Sequence, residues 1–401
     1  MTVFITGDPF STREAQESLS RISDLIGLVQ EASLSPENQG RGQHHPYVTF
    51  ALEEPMAWVR LWNLDTPRFY SDPFYYVETI LKQKLWRWET FTQDTMPMTA
   101  EVPAGLSMYP EYTWIGMELY FSPEGIPTIQ IDHPMTRNPD LSLLKPVDFY
   151  SSGWMPRVLR WWDAINRIVD GRLKVINTMF WWRGCLDQAM QLRSYENLML
   201  DIIERPQFVH DLLKFITEQR CHWWEAYNKH FYLPLKPTDI GEDWLNIPFI
   251  SPGFFRDFVL PRYLEIEAFH GGINSIHSCG DQTPLQRYFL QIHSLNNYEV
   301  SPWTNLEQSL VNLPASKKLM IGLHPNEVLF TSADQMERRL RDITEKCIGR
   351  NYDIGTSGLT PILDTHDQFI DQVNTWLRVV HEVFDGITLR CSSQLRSGSD
   401  Q

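Results

Sequence analysis

No run of eighteen or more apolar residues occurs in the 401-residue sequence, so no segment reads as a membrane-spanning helix. The opening, MTVFITGDPFSTREAQ, has neither the basic n-region nor the apolar h-region of a secretory signal, and a cytoplasmic location is expected. Basic residues fall short of acidic ones, 35 against 50, which leaves a formal charge of −15. That balance speaks against a role in gripping nucleic acid or an anionic membrane, since both need a basic footprint; it leaves a small molecule or a partner with a basic face. Cysteine is scarce. Cys185, Cys221, Cys279, Cys347 and Cys391 are odd in number and scattered, which fits reduced thiols better than a disulfide framework and leaves one of them available as a ligand.

What is present is core material. With 42% hydrophobic and 13% aromatic residues, the chain has enough to build a full core, and its length suits one large barrel or two medium domains. An amphipathic helix pattern runs from roughly Thr12 to Ala32, and the polar SPENQGRGQHH after it reads as a linker or exposed loop. Residues 1–45 are therefore expected to form an N-terminal helix and linker, residues 46–390 the main body, and residues 391–401 a tail. Between Pro46 and Tyr150 the sequence is irregular and rich in Pro and aromatics, as long loops and short elements covering one end of a barrel would be.

From about residue 155 short apolar runs alternate with helical periods, as in a βα series. Strands are expected at Lys174 to Phe180, Thr238 to Glu242, INSIHSC, NNYEVSP, KKLMIGL and NYDIGTSG. Helices are expected from Ser194 to Tyr227, over SPGFFRDFVLPRYLEIEAF, PLQRYFLQIHSL and SADQMERRLRDITEKCI, and from Asp367 to Phe384, where Thr365 and Gln368 stand at capping-box spacing. The fold class expected is α/β. A (β/α)8 TIM barrel with an N-terminal helical and loop extension stands ahead of an open doubly wound sheet, which would give the same alternation.

One segment carries a resemblance. GEDWLNIPFISPGFFRDFVLPRYLEIEAFHGGINSIHSCGD holds an acidic pair (Glu242, Asp243), a Ser251-Pro252 helix start, a mid-helix Pro261 and a strand ending in His277-Ser278-Cys279-Gly280. It resembles the uroporphyrinogen decarboxylase superfamily. LMIGLHPNEVLFTSADQMERRLRDITEKCIGRNYDIGTSGLTP looks like the closing βαβ unit of that family, and WWRGCLDQAMQLRSYENLMLDIIERPQFVHDLL matches it more weakly. The superfamily comprises the tetrapyrrole decarboxylase and zinc methyltransferases that work with a methyl-corrinoid protein, including coenzyme M methyltransferases and the first methyltransferases of aromatic O-demethylase systems. The decarboxylase's Arg-Gln-Ala-Gly-Arg loop does not occur here, which disfavours that branch.

His277 and Cys279 are two apart on an expected strand, so their side chains share a face, and an imidazole and a thiolate suit zinc. A catalytic zinc takes three protein ligands and leaves a fourth position for a substrate heteroatom. In the coenzyme M branch the third ligand is a Cys after the last strand; Ser357 stands at that position here. The O-demethylase branch is associated with two acids and a later His, a pattern that Glu242, Asp257 and His277 approach, so Glu242 is the expected third ligand. Without a metal, the same pair is a buried Cys beside a hydrogen-bonded His.

Glu242, Asp243, His324 and Arg183 are the expected catalytic residues. His324, at the end of an expected strand, would act as ligand or proton donor, and Arg183 would hold a substrate carboxylate or phenolate, or else pair with a structural acid. Trp181 and Trp182 beside it would line an aromatic pocket, or pack in the core as other tryptophan pairs do. Ser357 joins them as a substrate contact. The activity that the resemblance implies is transfer of a methyl group between a small methylated substrate, a methyl ether of aromatic or other type, and cobalamin carried by a separate corrinoid protein. The sequence itself contains no Asp-x-His-x-x-Gly cobalamin motif. A metal-free decarboxylase and a non-catalytic barrel are the rival readings.

Overall fold

The computed structural model describes residues 10, 12–41, 46–106, 110–121, 127–129, 133–176 and 181–397. It divides into two compact units, each assembled from separate stretches of chain: Met1–Gly40, Asn63–Glu89 and Pro97–Lys236 form the first, and Arg41–Trp62, Thr90–Met96 and Pro237–Gln401 the second. It is an α/β protein with parallel sheets. No helix among the described residues is long and apolar enough to cross a membrane.

In the first unit, strand β1 (Glu101–Pro103) pairs in parallel with β4 (Lys174–Ile176), and β2 (Leu119–Phe121) pairs antiparallel with β3 (Pro127–Ile129). The remainder of the strand expected to reach Phe180 lies outside the described residues. Helix Arg13–Leu34, capped by the Thr12 side chain, buries Ala15, Ile22, Ile26 and Val29 and packs against helix Met155–Val169. The segment expected as a linker is partly structured, because Pro36–Arg41 is helical and buried Asn38 exchanges hydrogen bonds with the Met98 backbone at 2.6 and 3.0 Å. A side-chain amide satisfying both groups of a peptide in this way substitutes for a strand partner. Residues 42–45 lie outside the described set.

The second unit is built on a five-stranded, wholly parallel sheet in the order β5 (Thr238–Gly241), β6 (Ile273–His277), β7 (Asn297–Val300), β8 (Lys318–Leu323) and β9 (Tyr352–Thr356). The early residues Val48 and Leu52 make parallel bridges to Ile354 and Leu359, alongside β9. Parallel neighbours need long crossovers, and helices supply them. Leu319, Ile321 and Leu323 alternate as the buried positions of β8. Helix Ala333–Lys346 buries Met336, Leu340 and Ile343, and helix His366–Ser397 buries Phe369, Val373, Trp376, Leu377 and Val380 at helical spacing. The expected capping box is present: Thr365 and Gln368 exchange bonds of 3.2 Å. That helix continues past the expected boundary at residue 390; residues 398–401 and the Cys391 side chain lie outside the described set.

Two local features set the side-chain directions that matter below. Along β6 the register slips: Thr238 pairs with Ile273 but Asp239 with Ser275, so Asn274 is one residue extra. The slip puts Ile273 and Ile276 both on the buried face and turns Ser275 and His277 to the other. In the helical stretch before β6, a π turn at Phe255–Val259 precedes Pro261. Proline brings no N–H and crowds the carbonyl four residues earlier, and the wider turn makes room for its ring.

Candidate metal centre

The parallel register lines up one polar face of the sheet. Asp239 and Ser275 face each other and are hydrogen-bonded at 2.6 Å. Two residues further along, Gly241 pairs with His277, and the pairing of Ser275 with Asn297 carries across so that Glu299 falls beside His277. With side chains alternating, Asp243 and Cys279, just past the ends of β5 and β6, continue the same row.

Among the described residues, the group of three that brings candidate ligand atoms together is Asp243, His277 and Cys279, all within 4.8 Å of one another. Cys279 Sγ lies 3.4 Å from His277 Nε2 and 3.4 Å from Asp243 Oδ1. Around a tetrahedral zinc with bonds of about 2.0–2.3 Å, neighbouring donors stand roughly 3.3–3.7 Å apart. With Cys279 Sγ at that separation from both other donors, all three within 4.8 Å, and with Asp243 and His277 half-buried and Cys279 exposed, the set fits a zinc ion that keeps a side open to substrate. Glu242, adjacent in sequence, faces the other way. It is fully buried and accepts a hydrogen bond from the Tyr263 hydroxyl at 3.0 Å, while its N–H donates to the His277 carbonyl at 3.0 Å. The structure thus groups Asp243, and not Glu242, with the imidazole and thiol.

Glu299 carries a signal that sequence reading passed over, a charged residue at an alternating position of the Asn-Tyr-Glu-Val strand β7. Its carboxylate oxygens lie 2.9 and 3.0 Å from His277 Nδ1, and one of them accepts the Ser278 N–H at 3.1 Å. Burial disfavours the charged imidazole, but hydrogen bonds and charge from Cys279 and Glu299 outweigh it and push His277 up to about 10.

The loops that carry the donors are tied together by Asn246. Its Nδ2 donates to the Asp243 carbonyl at 2.6 Å and to Ser278 Oγ at 3.2 Å, and Ile247 donates its N–H to the Asp281 carbonyl at 3.0 Å. Gly280 makes this possible, since a β-carbon there would stand 2.3 Å from the Asn246 side chain.

His324 follows β8 and caps helix Pro325–Leu329, its Nδ1 accepting the Asn326 N–H at 3.1 Å while its ring meets Trp303 edge-on at 5.7 Å. Ser357 follows β9, its N–H donating to the Leu323 carbonyl at 2.9 Å. Both stand at the same carboxyl end of the sheet as the three donors, on β8 and β9, and are not part of the group. Asp257 is half-exposed and paired with Arg256 at 2.6 Å.

Trp181, Trp182 and Arg183 belong to the first unit. Trp181 is fully buried between Trp114, at 5.2 Å, and Trp223, at 6.1 Å. The buried Arg183 guanidinium pairs with Asp187 at 2.8 Å and lies 5.0 Å from the ring centre of half-buried Trp182. The backbone N–H of Arg183 donates to Glu111 Oε1 at 3.1 Å. Burial outweighs these contacts for Glu111 and raises its carboxyl from 4.5 to about 7.

Nitrogen, sulfur and oxygen donors gathered at the carboxyl ends of parallel strands define an α/β protein with a candidate metal centre, in the place where such sheets hold their ligands. The sequence profile described as Uroporphyrinogen decarboxylase (URO-D) matches residues 102–358, and the chain belongs to that family. A solved structure described as a methyltransferase from Methanosarcina mazei shares the fold, with a TM-score of 0.58 and 15% identity, over 90% of this chain and 99% of the other. No curated protein matches the chain.

Proposed function

We propose that this protein is a methyltransferase component that passes a methyl group between a small methylated substrate, a methyl ether of an aromatic or other compound, and a separate corrinoid protein. The reading includes a zinc ion held by Asp243, His277 and Cys279, and a (β/α)8 barrel spanning residues 46–390. The observation that carries it is the convergence of those three donors within 4.8 Å. Membership of the URO-D family and the fold shared with a protein described as a methyltransferase support it.

When bound, zinc supplies Lewis acidity toward the ether or thioether heteroatom, making it a better leaving group or, in the reverse direction, a better nucleophile. Cys279 gives up its proton and His277 its Nε2 proton to serve as donors. His324 has its Nδ1 committed to a backbone N–H, so the neutral ring carries its proton on Nε2, which would pass to the departing alkoxide. Glu242 holds the end of β5 through Tyr263 and keeps Asp243 turned to the polar face. Ser357, at the carboxyl end of β9, is a proposed substrate contact.

Elemental analysis tests the reading. The purified protein is expected to hold about one zinc per chain, lost in the His277→Ala and Asp243→Ala variants. Metal-free protein that remains active rejects the reading in favour of a decarboxylase, and metal-free protein with neither activity favours a binding role.

A further inference from the structure

We propose that Glu299 is the positioning residue of this centre: its carboxylate fixes the His277 ring so that Nε2 is the ligand atom, and its charge makes that nitrogen a stronger donor. The proposal rests on reading Asp243, His277 and Cys279 as the metal ligands.

The geometry is specific. Both carboxylate oxygens lie within 3.0 Å of His277 Nδ1, the nitrogen facing away from Cys279, while Nε2 is the one 3.4 Å from the thiol. A metal-bound imidazole commonly donates its second N–H to a carboxylate, which fixes tautomer and ring orientation and raises basicity at the bound nitrogen. Glu299 is itself anchored, because it accepts the Ser278 N–H at 3.1 Å, and Ser278 is the residue between the two donors. One carboxylate therefore sets both the ring of His277 and the peptide that leads to Cys279.

Its origin is also specific. Glu299 lies on β7, not on the loop that carries the donors, and reaches His277 because the two strands pair in register. It is 19% exposed, so its charge is only partly screened by water. A divalent ion held here would be balanced by the Asp243 carboxylate and the Cys279 thiolate. The third negative charge therefore serves the imidazole and not the ion directly.

The test is metal affinity and spectrum, independent of turnover. Zinc is titrated against a chromophoric chelator, and cobalt(II) is substituted to read the thiolate-to-cobalt charge-transfer band. Glu299→Ala is expected to weaken zinc binding about 10–100-fold and to alter the cobalt band. Glu299→Gln keeps the shape and an acceptor oxygen but not the charge, and is expected to lose several-fold. This same-shape variant decides the matter if the alanine variant does not fold. Either folded variant with wild-type affinity and spectrum overturns the role of Glu299 while leaving the metal site standing. Wild-type protein that binds neither metal at His277 overturns the site itself, and the role of Glu299 with it.

Discussion

Glu242 and Asp243 are consecutive carboxylates with opposite fates, one sealed against Tyr263 and one beside the thiol of Cys279. Strand alternation separates them, and which of the two meets His277 depends on the pairing of β5 with β6, which the acidic dipeptide does not encode. The His-x-Cys spacing puts two side chains on one face within a single strand and is readable from sequence, whereas the carboxylate that stands beside them depends on the neighbouring strand. Another buried acid allows a prediction. Glu111 is raised from 4.5 to about 7 by burial, so between those values the folded chain holds a proton that the unfolded chain has released. Stability from this group is full below about 4.5 and falls as pH rises through about 7. Glu111→Gln stays uncharged, and its urea midpoint should fall less than that of the wild type over this window, a difference on the order of 3 kcal/mol. Parallel midpoints across the range would contradict it.

At the scale of elements, the C-terminal strands and the capped helices were readable because short apolar runs and cap residues act locally. The stretch PLQRYFLQIHSL was not. It gives a 3-10 turn at Thr283–Leu285, a short helix Gln286–Phe289 and then further i to i+3 turns, which keep Phe289, Ile292 and Leu295 buried at a spacing of three. The glycine of the His-x-Cys-Gly motif can be given a physical task. A methyl group at Gly280 would collide with Asn246, the side chain that ties the Asp243 loop to Ser278. Gly280→Ala is expected to leave far-UV dichroism unchanged while lowering zinc affinity by about tenfold or more, as displaced supporting groups do. Unchanged affinity in a folded variant would show that the tie between the loops does not govern the donors.

For the whole molecule, each compact unit draws on distant parts of the chain, and the second recruits Val48 and Leu52 to lie beside a strand some three hundred residues later. Local periodicity carries no information about such pairing, so the first helix read as an appendage although it packs into the first unit. The proposed chemistry makes a prediction at this scale. The sequence contains no Asp-x-His-x-x-Gly motif, so methyl transfer by the purified chain should require an added corrinoid protein, followed by loss of methyl from the substrate. Transfer at the same rate without one would refute the proposed partnership.

Asn274, the unpaired residue of β6, sets a tolerance rule for the gene. Exchanging amino acids along that strand leaves its odd and even positions where they are, but inserting a single codon between Ser275 and Ile276 would swap those that follow. The imidazole and thiol would then leave the polar face, and Ile276 would stand where His277 had been. Descendants of this sequence are free to vary in letters here, and constrained in count.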